Sequence, residues 1–224
     1  MKSNIVSARI VGVLFIIATV VSSLTFVVLG VLETQDYLTG IAANETLVLM
    51  GMILEFIWAM SVVGIAVMLL PILKKYNEDL GRWFFSLRFI EAISVILGSI
   101  GLLLLLTLSQ EFVLAGAPVA SSYPIIGTLL LAARSWIFMF GSGLTWSLSA
   151  LVLNYALYQS KLVPRWISVF GFVGGALSFG TYLLQFFNVH LEILFVVIAV
   201  QEMVFAVWLI VKGFNTSAIT SEAA

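Results

Sequence analysis

Six long apolar stretches follow one another along this chain, and short polar segments separate them. A helix rises about 1.5 Å per residue, so about 20 apolar residues cross the roughly 30 Å hydrocarbon core of a membrane. Lipid offers no partners for open sheet edges, and the alternating pattern of a membrane β-barrel is missing from the sequence. The pattern therefore predicts six membrane-spanning helices, at residues 8–31, 47–70, 83–107, 134–158, 166–187 and 190–211.

The composition supports the same fold class. Hydrophobic residues make up 62% of the 224 residues and charged residues only 9%, which the surface of a soluble domain of this size cannot accommodate. The connecting segments are short, so nothing indicates a second domain. We expect an all-α polytopic membrane bundle over residues 1–214, followed by a short disordered C-terminal tail at 215–224.

The basic residues predict an orientation. Cytoplasmic loops of membrane proteins carry an excess of lysine and arginine. The opposite ends of the predicted spans carry acidic residues and, among the basic ones, only Arg134. Both termini are therefore expected to be cytoplasmic. The basic residues that gather at one set of ends are Lys2, Arg9, Lys74, Lys75, Arg82, Lys161, Arg165 and Lys212.

The connection between the third and fourth predicted spans leaves two alternatives open. Gly116, Pro118 and Pro124 interrupt it, and residues 125–133 that follow are too apolar for an open aqueous loop. Residues 113–133 either contain an interfacial or re-entrant helix over the outer face, or the fourth span is long and tilted.

Several charged and hydroxyl side chains lie inside the predicted spans. A charge near the bilayer centre is costly, so it normally faces a partner or a water-filled cavity. At about 100° of rotation per residue, Arg88 and Glu91 share one side of the third helix, while Arg134, Ser142 and Thr145 share one side of the fourth. The sequence predicts a polar core built from these residues. The candidate binding residues are Arg88, Glu91, Glu55, Glu202, Arg134, Ser142 and Thr145.

Each part of this core has a functional and a structural interpretation. Arg88 and Glu91, spaced i to i+3, form either an internal ion pair that locks one helix or a site that also faces a third group. The hydroxyl groups of Ser142 and Thr145 indicate either a polar path or close helix packing with bonds back to their own helix. Three carboxylates against two arginines leave a negative charge unbalanced, which is typical both of proton carriers and of a neutral buried acid.

The remaining inventory limits the function classes. The chain has no cysteine and one histidine, His190, which excludes thiolate sites and histidine-rich zinc or haem sites within it. No cofactor and no nucleic-acid partner are expected, and membrane lipids are the expected partners. The first hypothesis is binding or transport of a small solute, lipid or proton; the second is a structural or regulatory scaffold; the third is a carboxylate-dependent lipid-modifying enzyme. The oligomeric state stays open.

Three short motifs resemble a known family. They are RIVG at residues 9–12, RFIEA at 88–92 and SKLVPR at 160–165. In these positions they are similar to small six-span prokaryotic membrane proteins grouped as domain of unknown function 4386. The resemblance extends from about residue 8 to residue 212. It implies a six-helix protein of a bacterial or archaeal cytoplasmic membrane, and it carries no activity, ligand or catalytic residue.

Overall fold

The computed structural model describes residues 2–118 and 121–215, and within these residues all regular structure is helical. The predicted disordered tail lies, from residue 216 onward, outside the described residues. A π-helical segment, Ile137–Leu144, joins the fifth and sixth helices, and short 3₁₀ turns occupy Gly30–Glu33 and Glu192–Leu194. The α-helices are α1 Lys2–Val28, α2 Tyr37–Ala43, α3 Glu45–Tyr76, α4 Glu78–Leu114, α5 Tyr123–Trp136, α6 Thr145–Ser160, α7 Arg165–Gln185 and α8 Phe195–Val211.

Six helical stretches of the described residues are long and apolar enough to cross a membrane, and each overlaps one predicted span. The all-α class with six spans is therefore confirmed, and the chain is a multi-pass membrane protein. The stretches are Ile5–Val28, Glu45–Tyr76, Glu78–Leu114, Tyr123–Ser160, Arg165–Gln185 and Glu192–Val211.

The fourth span answers the question left open by the third connection. It runs without interruption from Tyr123 to Ser160, through α5, the π-helical segment and α6, and is 38 residues long. Of the two alternatives, the long span is the one observed. The short helix α2 is not among the predicted elements, and its Ile41 is buried against Leu102 and Leu105 of α4.

Helix α4 lies at the centre of the bundle. It packs against α3 on one side and against α5, the π-helical segment and α6 on another, while α1 contacts α3 and α8. The helix begins at a well-formed cap, because the Asn77 side chain accepts a hydrogen bond from the Leu80 N–H at 2.9 Å. Because several helices surround α4, its polar side chains can form hydrogen bonds to other helices, as Ser99 does with Glu55 of α3.

The bundle hides polar side chains and exposes large apolar ones. Phe26, Val27 and Leu114 are all more than two-thirds exposed, whereas Glu55 and Glu91 are buried. This arrangement is the reverse of a soluble domain, and it is expected where the solvent is lipid. The buried polar residues consequently mark the part of the molecule that can carry chemistry.

Both ends of the described chain lie at the same end of the bundle. The Arg9 Nε near the start of α1 donates to the Ile210 carbonyl near the end of α8 at 3.2 Å. Six alternating spans place the α3–α4 and α6–α7 connections at this end too. We call it the basic end, because it carries the eight lysines and arginines named above.

The orientation of the basic end is a prediction that reporter fusions can test. If the basic end is cytoplasmic, fusions after Asn77 and Ser160 should report an internal location, and fusions after Asn44 and Leu114 an external one. Alkaline phosphatase and green fluorescent protein at the same four positions provide opposite readouts and so control for expression. A reversed pattern at all four positions would overturn the orientation, and a reversal at one would contradict the six-span topology.

Candidate functional site

The structure places the predicted charged residues in two separate hydrogen-bonded groups. One group, which we call the distal pair, consists of Glu55 and Arg134. The other, which we call the central cluster, consists of Arg88, Glu91 and Glu202. All five residues are more than nine-tenths buried. The single polar core expected from the sequence is therefore resolved into two sites with different charge balance.

The distal pair is hydrogen-bonded at both carboxylate oxygens and at both terminal nitrogens of the guanidinium. Arg134 donates from both terminal nitrogens to the Glu55 carboxylate, and Ser99 Oγ donates to the same carboxylate at 2.7 Å. Arg134 also donates to the Gly98 carbonyl at 2.5 Å, and its guanidinium lies 4.6 Å from the centre of the Phe138 ring. One acid pairs with one base here, and further hydrogen bonds and an aromatic ring support the pair. A buried ion pair needs such additional partners to offset the cost of desolvation.

Glycine makes the close approach around the distal pair possible. A Cβ at Gly98 of α4 would overlap the Phe138 ring. Phe138 stacks in turn on Trp58 of α3, with ring centroids 6.0 Å apart. The small residue on α4 thus lets the fourth span come near enough to deliver Arg134 to Glu55.

The central cluster sets two carboxylates against one guanidinium. Arg88 Nη1 donates to Glu91 Oε2 at 3.0 Å and to Glu91 Oε1 at 3.3 Å. Arg88 Nη2 lies 3.8 Å from Glu202 Oε1. Within the described residues, Arg88 is the only cation that pairs with either acid. The cluster therefore holds one more acid than base.

Neutral donors complete the surroundings of Glu202. Trp146 Nε1 on α6 donates to Glu202 Oε1, and Thr19 Oγ1 on α1 donates to Glu202 Oε2, each at 3.0 Å. Residues from α1, α4, α6 and α8 thus meet at this cluster, although they are far apart in sequence.

Arg88 is held between aromatic rings and has a free donor. Its guanidinium carbon lies 5.6 Å from the Phe15 ring centre and 5.7 Å from that of Phe84, within the range of cation–π attraction. Its Nε has no hydrogen-bond partner among the described residues. Arg88 and Glu202 line an internal cavity of about 10 Å³, room for about one water molecule.

Two amides extend this cavity toward the basic end. Asn154 of α6 and Gln201 of α8 also line it. Gln201 Nε2 donates to Asn154 Oδ1 at 3.4 Å and to the carbonyl of Ile167, in the first turn of α7, at 3.3 Å. A Cβ at Gly171 would overlap the Asn154 amide, so this glycine leaves the space that Asn154 fills. A polar seam therefore runs from Arg88 and Glu202 to the start of α7.

The similarity of this chain to a known family extends over the whole bundle. Residues 10–213 match the family model described as domain of unknown function 4386. The chain belongs to this family. The match extends over all six spans and confirms the resemblance carried by the three short motifs. No curated protein and no solved structure matches the chain.

Two of the motifs by which the chain resembles this family have clear positions in the structure. RFIEA at residues 88–92 supplies both α4 members of the central cluster. SKLVPR at residues 160–165 forms the connection between α6 and α7 at the basic end. Because the family is described as one of unknown function, membership adds no ligand to this geometry.

Ser142 and Thr145 are not brought into either charged group. The Thr145 hydroxyl donates to the Gly141 carbonyl at 2.5 Å and lies 3.2 Å from the Ser142 carbonyl, both on its own helix. Ser142 is buried in the π-helical segment. In the described hydrogen bonds, neither hydroxyl reaches a charged side chain, and the packing interpretation describes them better than the polar path.

The π-helical segment separates the two charged groups along the fourth span. Arg134 precedes it and Trp146 follows it. A Cβ at Gly141 would overlap Ser94 of α4, and one at Gly143 would overlap Tyr182 of α7, so both glycines permit close packing. π-Helical turns are rare, and those found inside α-helices are frequently located at functional sites.

Sequence reasoning missed Thr19, Trp146 and Asn154 as members of the site. A lone hydroxyl or amide within an apolar stretch commonly bonds back to its own helix, so its type and position carry a weak signal. Trp146 carried no distinguishing signal, because aromatic residues are frequent in this sequence. Among the described residues, no group of three or more histidine, aspartate or glutamate side chains is placed to hold a metal ion.

Proposed function

We propose that this protein binds and releases a proton inside the membrane at the central cluster, and so takes part in proton transport. The observation that carries the proposal is that Glu91 and Glu202, both buried, share the single guanidinium of Arg88. One guanidinium balances one carboxylate. Because an unbalanced charge in a low dielectric is costly, the second acid calls for another cation, and a proton is the smallest that can reach it.

The dimensions of the site favour a proton among the ligand classes considered. The cavity that touches Arg88 and Glu202 has a volume of about 10 Å³, which suits a water molecule. Arg88 lines this cavity, and its Nε has no hydrogen-bond partner among the described residues, so it offers a donor to such a water. A water here would link the carboxylates to the seam formed by Asn154 and Gln201.

The groups that face the carboxylates define how a proton would be held. Arg88 faces both acids, and Thr19 and Trp146 donate to Glu202. All three of these groups are hydrogen-bond donors. Protonation would therefore exchange one ionic contact to Arg88 for a neutral one, while the neutral donors keep Glu202 in place.

A structural scaffold remains the second candidate, and the distal pair favours it. Glu55 and Arg134 are balanced one to one, and their oxygens and terminal nitrogens are hydrogen-bonded. This pair has what is needed to fasten α3 to the fourth span. We assign the structural role to the distal pair and the proton to the central cluster.

Infrared difference spectroscopy tests the assignment directly. Purified protein in lipid should show a carboxylic-acid C=O band that changes with pH above about pH 6, where exposed carboxyl groups are already ionised. Glu91→Gln and Glu202→Gln should each abolish this change, because each leaves one acid against Arg88. Both variants should fold, since the remaining acid still pairs with the arginine.

Glu111→Gln is the matched control, because Glu111 is exposed and lies on the same helix as Glu91. It should leave the band unchanged. Proton flux into liposomes under a potassium diffusion potential should be lost in Glu91→Gln and Glu202→Gln and retained in Glu111→Gln. A band that survives in both central variants would contradict the proposal, and the scaffold would then be the better interpretation.

A further inference from the structure

A pocket of about 570 Å³ lies at the basic end, apart from both charged groups. It is formed where the connection between α6 and α7 meets the C-terminal end of α8. The residues that line it are Lys161, Leu162, Val163, Pro164, Arg165, Trp208, Lys212, Gly213, Phe214 and Asn215.

The charge of this pocket has one sign. Lys161, Arg165 and Lys212 contribute three cations, and none of the described residues that line the pocket is acidic. The Arg165 guanidinium lies 4.8 Å from the Tyr158 ring centre, which holds it without neutralising it. In the described part of the chain, none of the three cations forms a salt bridge. The pocket therefore offers convergent positive charge for an anion.

The backbone fixes the shape of the pocket. Lys161 ends α6 in the left-handed conformation with φ of 54°, and Gly213 turns the chain after α8 with φ of 72°. The Asn215 N–H then donates to the Leu162 carbonyl at 2.8 Å, which ties the two walls together. Leu162, Val163 and Phe214 are buried in the apolar core below. The cations thus project from a frame that is already formed.

The surroundings of the pocket are suited to lipid. Trp166, next to Arg165, is 57% exposed, and Val211, next to Lys212, is 64% exposed. Exposed apolar side chains at the end of a membrane span face acyl chains, and tryptophan is enriched at the level of the headgroups. The three cations therefore lie at the end of the membrane spans, where lipid phosphate groups are expected.

We propose that this pocket binds the phosphate-containing headgroup of an anionic phospholipid. Basic pockets between membrane helices are suited to such headgroups, since lysine and arginine form charge-assisted hydrogen bonds to phosphate oxygens. The volume accommodates a headgroup, and the neighbouring apolar surface accommodates its acyl chains. The site is independent of the central cluster, so it stands whether or not a proton binds there.

Native mass spectrometry of the full-length protein with added lipid provides the test. Phosphatidylglycerol should bind at least tenfold more tightly than zwitterionic phosphatidylcholine. The triple variant Lys161→Gln/Arg165→Gln/Lys212→Gln should lose most of this preference, because each cation near a membrane surface contributes about a fivefold effect. Since the three side chains are exposed, the fold should persist, and the three single variants give a graded series if it does not.

The triple variant Lys74→Gln/Lys75→Gln/Arg82→Gln is the matched control, because it removes the same charge from the same end of the bundle outside the pocket. It should keep the preference for phosphatidylglycerol. An equal loss in both triple variants would reduce the effect to general surface charge and overturn the site. Displacement of the lipid by millimolar inorganic phosphate would identify free phosphate as the ligand and contradict the lipid assignment.

Discussion

Replacing Arg134 with methionine should lower the free energy of unfolding in detergent by roughly 3–5 kcal/mol. The change leaves Glu55 fully buried with Ser99 as its remaining side-chain donor. A buried carboxylate without its counter-ion is among the most costly defects that a single substitution produces. Thermal and denaturant-induced unfolding, followed by helical circular dichroism, would measure the loss.

The double variant Glu55→Met/Arg134→Met should recover most of this stability. Replacing a whole buried pair with apolar side chains of similar volume is often close to neutral. Ser99 retains the Val95 carbonyl as an acceptor at 3.1 Å, so the double change leaves its hydroxyl with a partner. Arg82→Met, at an exposed ion pair with Glu78, is the control and should unfold close to the wild-type midpoint. A double variant as unstable as Arg134→Met would show that the pair is more than a fastening between helices.

Replacing Arg88 with leucine should be at least as destabilising, because two buried carboxylates then lose their cation. Glu91 loses its only side-chain donor among the described residues, whereas Glu202 keeps Thr19 and Trp146. We expect a loss of roughly 3–5 kcal/mol or more in the free energy of unfolding. Glu91→Leu alone should be far milder, since Arg88 can still pair with Glu202.

The double variant Arg88→Leu/Glu91→Leu should recover only part of the stability, because Glu202 remains buried without a cation. Adding Glu202→Gln to the double variant should complete the recovery, since the amide keeps an oxygen for Trp146 Nε1. Unfolding measurements on this series separate the two possibilities for the pair. Full recovery in the double variant would mean that Arg88 and Glu91 serve only each other, and it would remove Glu202 from the central cluster.

The local features of the fold follow from the sequence. Span number depends on the length of apolar runs, which the chain displays directly, and each predicted span overlaps an observed one. The Arg88–Glu91 contact was also predictable, because residues three apart on a helix are neighbours whatever the rest of the bundle does. The family motifs likewise depend on short stretches of chain.

The partners between helices were decided only by the tertiary structure. Glu55 pairs with Arg134, which lies 79 residues away, and Glu202 with Trp146, which lies 56 residues away. Such pairs depend on the rotation and depth of each helix to within a few ångströms. In lipid, apolar side chains are equally well accommodated on the outside and on the inside of a bundle, so the apolar pattern does not fix which face turns inward. The charged residues of this chain therefore indicated a polar interior, while only the packing of the helices showed that it consists of a balanced pair and an unbalanced cluster.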